Sequence, residues 1–262
     1  MSVGNAQDKK AEQQYYDELF LARRRFDQFP TEDLYRELAT EARQGTSGNC
    51  ALDLGCGSGT QSFHLIQQGF SVIAADLSVE ATRLTKAGAQ SKGLSVQVLR
   101  TDAEALPMAD ASFDACVCSN LLHHFKTLDR VAAELSRVVR PGGVVVAVDA
   151  NAHNPFSYLF FNVIHRIRPF GHLTLNQRAL HTREIRETFA KYGFTDFRFR
   201  STTTQLKRDW LGASFLFTLN FYARAALLRL SNLLLPPLSR GNVLISVFKR
   251  ANEHSVAASS SR

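Results

Sequence analysis

The chain has 262 residues, enough for one well-cored domain with an elaboration or for two small domains. Hydrophobic residues make up 45% and charged residues 21%, proportions of an ordinary globular protein that exclude a chain too polar to bury a core. The formal charge of +7, with a pI of about 9.4, favours anionic surroundings without identifying one.

Residues 1–14 are polar and read as disordered. The first thirty residues carry no apolar h-region, so no signal peptide is read there. Residues 15–44 place apolar positions at helical spacing and are interrupted by Pro30, which predicts two helices forming an N-terminal cap. Arg23, Arg24 and Arg25 fall in this segment and read as a solvated helix face rather than a substrate clamp.

A regular alternation follows. "CALDL" (50–54) is a short apolar strand, and "TQSFHLIQQG" a helix ended by Gly69. "SVIAAD" (71–76) is a second strand, 79–91 a second helix, "SVQVLR" (95–100) a third strand and "FDACVCS" (113–119) a fourth. Residues 127–140 form a long helix stopped by "RPGG", and "VVVAVDA" (144–150) is a fifth strand. Strands apolar on both faces and alternating with helices predict a parallel sheet in an α/β sandwich. Cys116 and Cys118 share one strand face and, with Cys50 and Cys56, show no zinc-type pairing. A reduced, cytoplasmic setting fits them.

After Ala150 the pattern changes, and residues 151–180 read as irregular, aromatic and basic. "TREIRETFAKYG" (182–193) predicts a helix with Thr182 as N-cap and Gly193 as its stop. "FTDFRFRS" and "NVLISVFKR" are two further strands. Between them, residues 203–241 form an apolar insertion, and 251–262 a serine-rich flexible tail.

The chemistry starts in "LDLGCGSGT" (52–60). Gly55, Gly57 and Gly59 remove Cβ atoms where the backbone turns sharply and a ligand approaches closely. A dinucleotide fingerprint, G-x-G-x-x-G, would put glycine at position 60, which is Thr60. Asp53, two places before the first glycine, suits a cationic ligand and suits a pyrophosphate poorly. Asp76 ends the second strand, where a carboxylate can take both hydroxyls of a ribose. Asp102 follows the third strand, where it can accept from the exocyclic amine of an adenine. Loop, ribose acid and adenine acid thus occur in order at the ends of three successive strands.

These residues, with "AADLS" (74–78), "RTDAEALPMADASFDACVCSNLLHHF" (100–125) and "ELSRVVRPGGVVVAVDAN" (134–151), resemble the class I S-adenosylmethionine (SAM)-dependent methyltransferases, in particular the type 11 group with its ubiquinone- and menaquinone-biosynthesis members. The resemblance covers roughly residues 45–200 and the final strand. It implies a Rossmann-like α/β fold with a seven-stranded, mostly parallel sheet in the order 3-2-1-4-5-7-6, strand 7 antiparallel and helices on both faces. It implies a core at 45–202, completed by the strand at 242–250. It also implies SAM as cofactor. Gly55, Cys56, Gly57 and Gly59 would surround its amino-acid part, Asp76 and Leu77 the ribose, and Asp102 and Ala103 the adenine. Ser119 and Asn120 would lie near the methionine moiety, and Tyr16 would close over the cofactor. No metal is implied.

His123 and His124 follow strand four, where the acceptor pocket of such an enzyme lies. A neutral imidazole has a pKa suited to activating a hydroxyl or phenol, and His123 is preferred by position. The bland alternative is a pair that packs under the next helix. His153, Asn154, His165, His172 and His181 read as polar loop residues.

The insertion contains fourteen uncharged residues, 210–223, short of the ~20 that span a bilayer. Positions 219, 222, 226, 230 and 233 repeat at helical spacing. Three readings stand: a helical lid over the active site, an interfacial helix touching a membrane through 210–238, or a dimer contact. Each points to an acceptor with an apolar body. Nucleic acid is not expected, because basic residues do not cluster with stacking aromatics and no D/N-P-P-Y/F signature is present. The function expected is methyl transfer from SAM to a small lipophilic acceptor, most readily at oxygen, with nitrogen or carbon as the alternatives. The rivals are a non-catalytic SAM-binding or membrane-docking protein and a nicotinamide-dependent oxidoreductase. The last is disfavoured by Thr60, Asp53 and the lack of a Tyr-x-x-x-Lys pair.

Overall fold

The computed structural model describes residues 3–23, 32–167, 174, 176–203 and 233–252. Helices α1 (Val3–Arg23) and α2 (Glu32–Gly45) precede strand β1 (Cys50–Leu54). Then come α3 (Thr60–Gln67), β2 (Ser71–Asp76), α4 (Val79–Ser91), β3 (Gln97–Arg100) and β4 (Phe113–Ser119). A 3-10 turn (Leu122–His124), α5 (Asp129–Val138) and β5 (Val139–Ala150) follow. The chain then forms α6 (Pro155–Tyr158), a π-helical turn (Leu159–Ile164), α7 (His165–Ile167), α8 (Thr182–Lys191), β6 (Phe194–Thr202) and β7 (Val243–Arg250).

The seven strands make one sheet in the order β3-β2-β1-β4-β5-β7-β6. Strands β1 to β5 run parallel, and β7 is antiparallel to both β5 and β6. Chain order reverses between β1 and β4, so their carboxyl ends flank the crevice where a sheet of this kind takes its ligand. Continuous valines in β5 are explained by cover on both faces. Val144, Val146 and Val148 pack with Leu34, Leu38 and Ala42 of α2, while Val145 and Ala147 pack with α5 and α8 through Leu135 and Phe189. Phe189, Phe194 and Phe248 close that second layer with ring centroids 4.5–5.5 Å apart, a favourable aromatic spacing.

Several elements differ from their sequence expectation. The start of the chain, expected to be disordered, is helical from Val3, and Lys9 and Glu12 of this helix find distant partners described below. Helix α5 stops at Val138 rather than at 140, since the residue before Pro141 is pushed towards extended backbone. "RPGG" therefore lies inside β5, where Gly142 takes a φ of +79° as the strand register shifts. Residues 155–167, expected to be irregular, are helical with a π turn, and Asn154 caps them by accepting from the backbone N–H groups of Phe156 and Ser157. The cap of α8 is His181 rather than Thr182. Thr182 is the first helical residue, and its N–H donates to Nε2 of His153 at 3.2 Å. Gly193 ends that helix at φ +79°, as expected.

Most of the insertion at 203–241 lies outside the described residues, as do Arg24, Arg25, His172 and most of the 251–262 tail. Its described end holds exposed Leu233 and Leu234 and a helical turn at Pro237–Arg240. No helix among the described residues is long and apolar enough to cross a membrane.

Candidate active site

The glycine loop connects β1 to α3 at the crevice. Gly55, Gly57 and Gly59 all have positive φ, at +76°, +53° and +84°, which side chains other than glycine rarely accept. Gly59 is also the left-handed residue before α3, and a Cβ there would lie 2.8 Å from Cγ2 of Thr85. Backbone N–H groups of Gly55 and Cys56 donate to the Ala75 carbonyl (2.8 and 3.0 Å), tying the loop to the end of β2. Cys56 is buried, its Sγ 3.6 Å from Oγ1 of Thr85, and burial pushes its thiol well above the usual range. It serves the loop through its backbone.

Asp76 holds this loop in place. One carboxylate oxygen accepts from Gly57 N–H and the other from Ser78 N–H, each at 2.9 Å. Each oxygen keeps a second lone-pair site for a ligand hydroxyl. The N-cap of α4 is Ser78, which accepts from Ala81 N–H, so Asp76 is not consumed as a cap. Burial raises the Asp76 carboxyl, against the pull of those backbone donors and of His124. Leu77 follows, its carbonyl accepting from Arg100 Nε at 3.2 Å.

Asp53 is fully buried under the loop. Oδ2 accepts from Ser62 Oγ at 2.5 Å, while Oδ1 is buried without a hydrogen-bond partner. Burial raises its pKa to about 7; Ser62 opposes the shift and nearby Asp76 adds to it.

Helix α1 lies across this crevice. Phe20 approaches Gly57, and Asp17 accepts from Ser78 Oγ and from the Glu80 N–H. Lys9 pairs with both Asp102 and Glu104, and the other Asp102 oxygen accepts from Glu104 N–H at 2.9 Å. Asp102 thus stands where a base-binding acid is expected, but α1 shares it. Ala103 beside it is buried.

Beyond β4, Ser119 Oγ donates to Gln61 Oε1 at 3.4 Å, and Asn120 holds a strained φ of +55°, its N–H donating to the Val148 carbonyl. His123 and His124 then face different partners. His124 Nδ1 lies 2.6 Å from Glu12 Oε1, and its Nε2 lies 3.2 Å from Tyr16 Oη, which accepts from Gln177 Nε2. A carboxylate only accepts, so Nδ1 carries a proton towards Glu12, and Nε2 shares a hydrogen bond with the tyrosine hydroxyl. The Glu12 carboxyl is lowered despite its burial, because His124, Asn176 and Thr174 donate to it. Tyr16 is raised well above 10, chiefly by burial, and keeps its proton. His123 Nδ1 instead lies 2.9 Å from Asp149 Oδ1, which also accepts the His123 N–H at 3.0 Å.

Lys9, Glu12, Asp149 and Gln177 were not singled out by sequence reasoning. Asp149 had a signal, a lone carboxylate ending the apolar run "VVVAVDA"; the other three had none. Cys116 and Cys118 do share a buried face, their sulfurs 3.9 Å apart. His153, Asn154 and His165 are built into the structure rather than loose in loops. His153 Nε2 accepts from the first N–H of α8, Asn154 caps α6, and fully buried His165 bonds the Thr174 carbonyl. No group that could hold a metal ion occurs among the described residues.

Strand order, glycine loop and the acids at the ends of β1 to β3 define a class I methyltransferase domain, the class whose cofactor is S-adenosylmethionine. Residues 52–147 match the family model described as a methyltransferase domain, and this segment is a methyltransferase domain of the type 11 group. Two curated relatives are the demethylmenaquinone methyltransferase of Thermobifida fusca, 36% identical over 143 residues, and the ubiquinone biosynthesis O-methyltransferase of Hahella chejuensis, 32% identical over 121. These alignments cover 53% and 46% of this chain and 57% and 50% of the relatives, so the chain spans about half the length of the curated relatives it matches. The crystal structure of the YcgJ protein from Bacillus subtilis shares the fold with a TM-score of 0.62 at 19% identity, covering 84% of this chain and 99% of that one.

Proposed function

We propose that the chain transfers a methyl group from SAM to an oxygen of a small acceptor with an apolar body. The observation that carries the reading is Asp53. A fully buried carboxylate with one oxygen unpartnered, beneath three left-handed glycines, is matched by a ligand bringing a cation to the loop. The α-ammonium of SAM is such a cation, and the pyrophosphate of a dinucleotide is not. Bound there, SAM would supply an electrophilic methyl group on a sulfonium.

The chain's own residues then divide the work. Gly55, Gly57 and Gly59 leave room for the amino-acid part, and Asp76 takes the ribose hydroxyls while keeping its two backbone donors. Asp102 and Ala103 receive the adenine once Lys9 gives way. Phe20 and Tyr16 of α1 exclude water from above. Methyl transfer needs in-line alignment of donor and acceptor, so a closed, dry crevice is itself a large part of the acceleration.

The apolar acceptor is supported by two observations. The relatives named above are, by name, a demethylmenaquinone methyltransferase and a ubiquinone biosynthesis O-methyltransferase. The helical segment 155–167 also leaves Phe156, Leu159, Ile164 and Ile167 exposed. The test is transfer of labelled methyl from SAM to a panel of prenylated phenols, acyl esters and hydrophilic amines. Label in the lipophilic hydroxyl compounds is expected. Label confined to the hydrophilic amines would overturn the acceptor class, and no transfer at all would favour a non-catalytic SAM-binding protein.

A further inference from the structure

Two histidines sit side by side after β4, ring centroids 4.3 Å apart, and each presents Nδ1 to a carboxylate. Their other nitrogens differ. His124 Nε2 is taken by Tyr16, so both its nitrogens are held within the protein. His123 Nε2 has no hydrogen-bond partner among the described residues and is not among the enclosed polar atoms left unsatisfied. The His123 side chain keeps 9% of its surface exposed, so it is not wholly enclosed. Asp149 reaches it from β5, with Oδ1 shared between Nδ1–H and the His123 backbone N–H. These two donors to one oxygen fix both the ring and its tautomer: the proton is on Nδ1 and the lone pair on Nε2.

We infer that His123 is the base that takes the acceptor's proton and that Asp149 is its positioning residue, while His124 belongs to the clasp between α1 and the body. This rests on the proposed methyl transfer to oxygen. In the step, the acceptor O–H bond breaks and its proton goes to His123 Nε2. The oxygen lone pair forms the new O–CH3 bond as the sulfonium C–S bond breaks, and that electron pair stays on sulfur. Asp149 then faces an imidazolium, which it stabilises most strongly once ionised.

The charges around the pair set its pH dependence. His124 adjoins it on the same turn, Glu12 faces it from α1, Arg178 from the 176–180 segment and the Cys118 thiol from β4. Arg178 is itself tied to Glu184, and its N–H donates to the His123 carbonyl. Burial drives His123 well below 6.5, with His124 and Arg178 adding to the effect, so its Nε2 lone pair is free across neutral pH. Burial also raises the Asp149 carboxyl to about 8, against the pull of the His123 N–H, His124 and Arg178. Its orphaned Oδ2 is the oxygen available for that proton. Below pH 8 the imidazole is held by a neutral acid. Above pH 8 it is backed by a carboxylate and becomes the stronger base.

The test uses the full chain with 15N-labelled histidine, its imidazole signals followed from pH 6 to 10 and assigned with His123→Gln. The wild type should show His123 protonated at Nδ1 and bare at Nε2, with a shift centred near pH 8 that Asp149→Asn removes. Diethylpyrocarbonate, which acylates bare imidazole nitrogens, should modify His123 and spare His124. At pH 9, where Asp149 is ionised, modification of His123 should slow by about tenfold in Asp149→Asn, the effect of about one pKa unit on that lone pair. A His123 bare at Nδ1, a shift that survives Asp149→Asn, or His124 reacting first would each overturn the inference. Calorimetry with SAM keeps the readings apart. Asp149→Asn should retain cofactor binding, and a wild type that does not bind SAM would sink the proposed function while leaving the titration to report on the pair.

Discussion

The glycine-loop half of the crevice and the histidine half are stabilised in different ways. In the first, Asp76 is held by backbone N–H groups of its own neighbourhood, from Gly57 and Ser78. In the second, His124 is held by Glu12, 112 positions away, and Tyr16 by Gln177, 161 positions away. A site made of local backbone donors is written in a short motif. A site made of side chains from distant segments is assembled only by the fold. In the first half Asp53 keeps a buried Oδ1 without a hydrogen-bond partner, whereas both ring nitrogens of His124 and the hydroxyl of Tyr16 are engaged.

The largest expected break in this contrast is Asp76→Ala. It removes the ribose acceptor and the anchor of the Gly57 N–H together, so SAM affinity should fall by about 3 kcal/mol, or more than a hundredfold, in calorimetry. An affinity within threefold of wild type would show that the loop does not depend on this acid.

Asp53→Asn comes next and should act in opposite directions on binding and stability. Its folded pKa of about 7 lies above the ordinary carboxyl value, so its penalty is absent at low pH and grows as pH rises through 7. The variant should therefore be more stable than wild type at pH 8, by about 1–3 kcal/mol, and equal to it at pH 4. Binding a cation should favour the ionised acid. SAM binding near pH 7 should then release a proton, seen as a buffer-dependent calorimetric enthalpy, and Asp53→Asn should lose that release.

The histidine half is tested by Tyr16→Phe. Loss of one hydroxyl from a buried chain that includes His124 and Gln177 should cost about 1–2 kcal/mol of stability, readable as a lower denaturation midpoint. The smallest effect is expected from Lys9→Ala. Its pairs with Asp102 and Glu104 are partly exposed and should contribute about 0.5–1 kcal/mol, seen as faster amide exchange over α1 with the sheet unaffected.

The contrast also explains how far the sequence could be read. The strands, the turn glycines and the acids at the strand ends were legible because each is marked by a short local pattern, whereas the strand order came from the family resemblance. So was the burial of Cys116 and Cys118, which follows from strand alternation. Helix α1 was not, because residues 3–14 are polar, and the helix is tied down through Lys9 to Asp102, Glu12 to His124 and Asp17 to Ser78. The helical turns at 155–167 were hidden by an aromatic run without helical periodicity. His123 and His124 looked equivalent in "LLHHF". What separates them is Asp149 on one and Glu12 with Tyr16 on the other, and no local spacing encodes that difference. Of the four missed residues, only Asp149 carried a visible sign, an acid where an apolar strand should continue.

The central claim is that the glycine loop with Asp53 and Asp76 receives a sulfonium nucleoside. The direct measurement is a calorimetric titration of the full chain with SAM and, separately, with NAD at pH 7.5. Saturable one-to-one binding of SAM, lost in Asp76→Ala and without counterpart for NAD, is predicted. Binding of NAD with no heat from SAM would contradict the account.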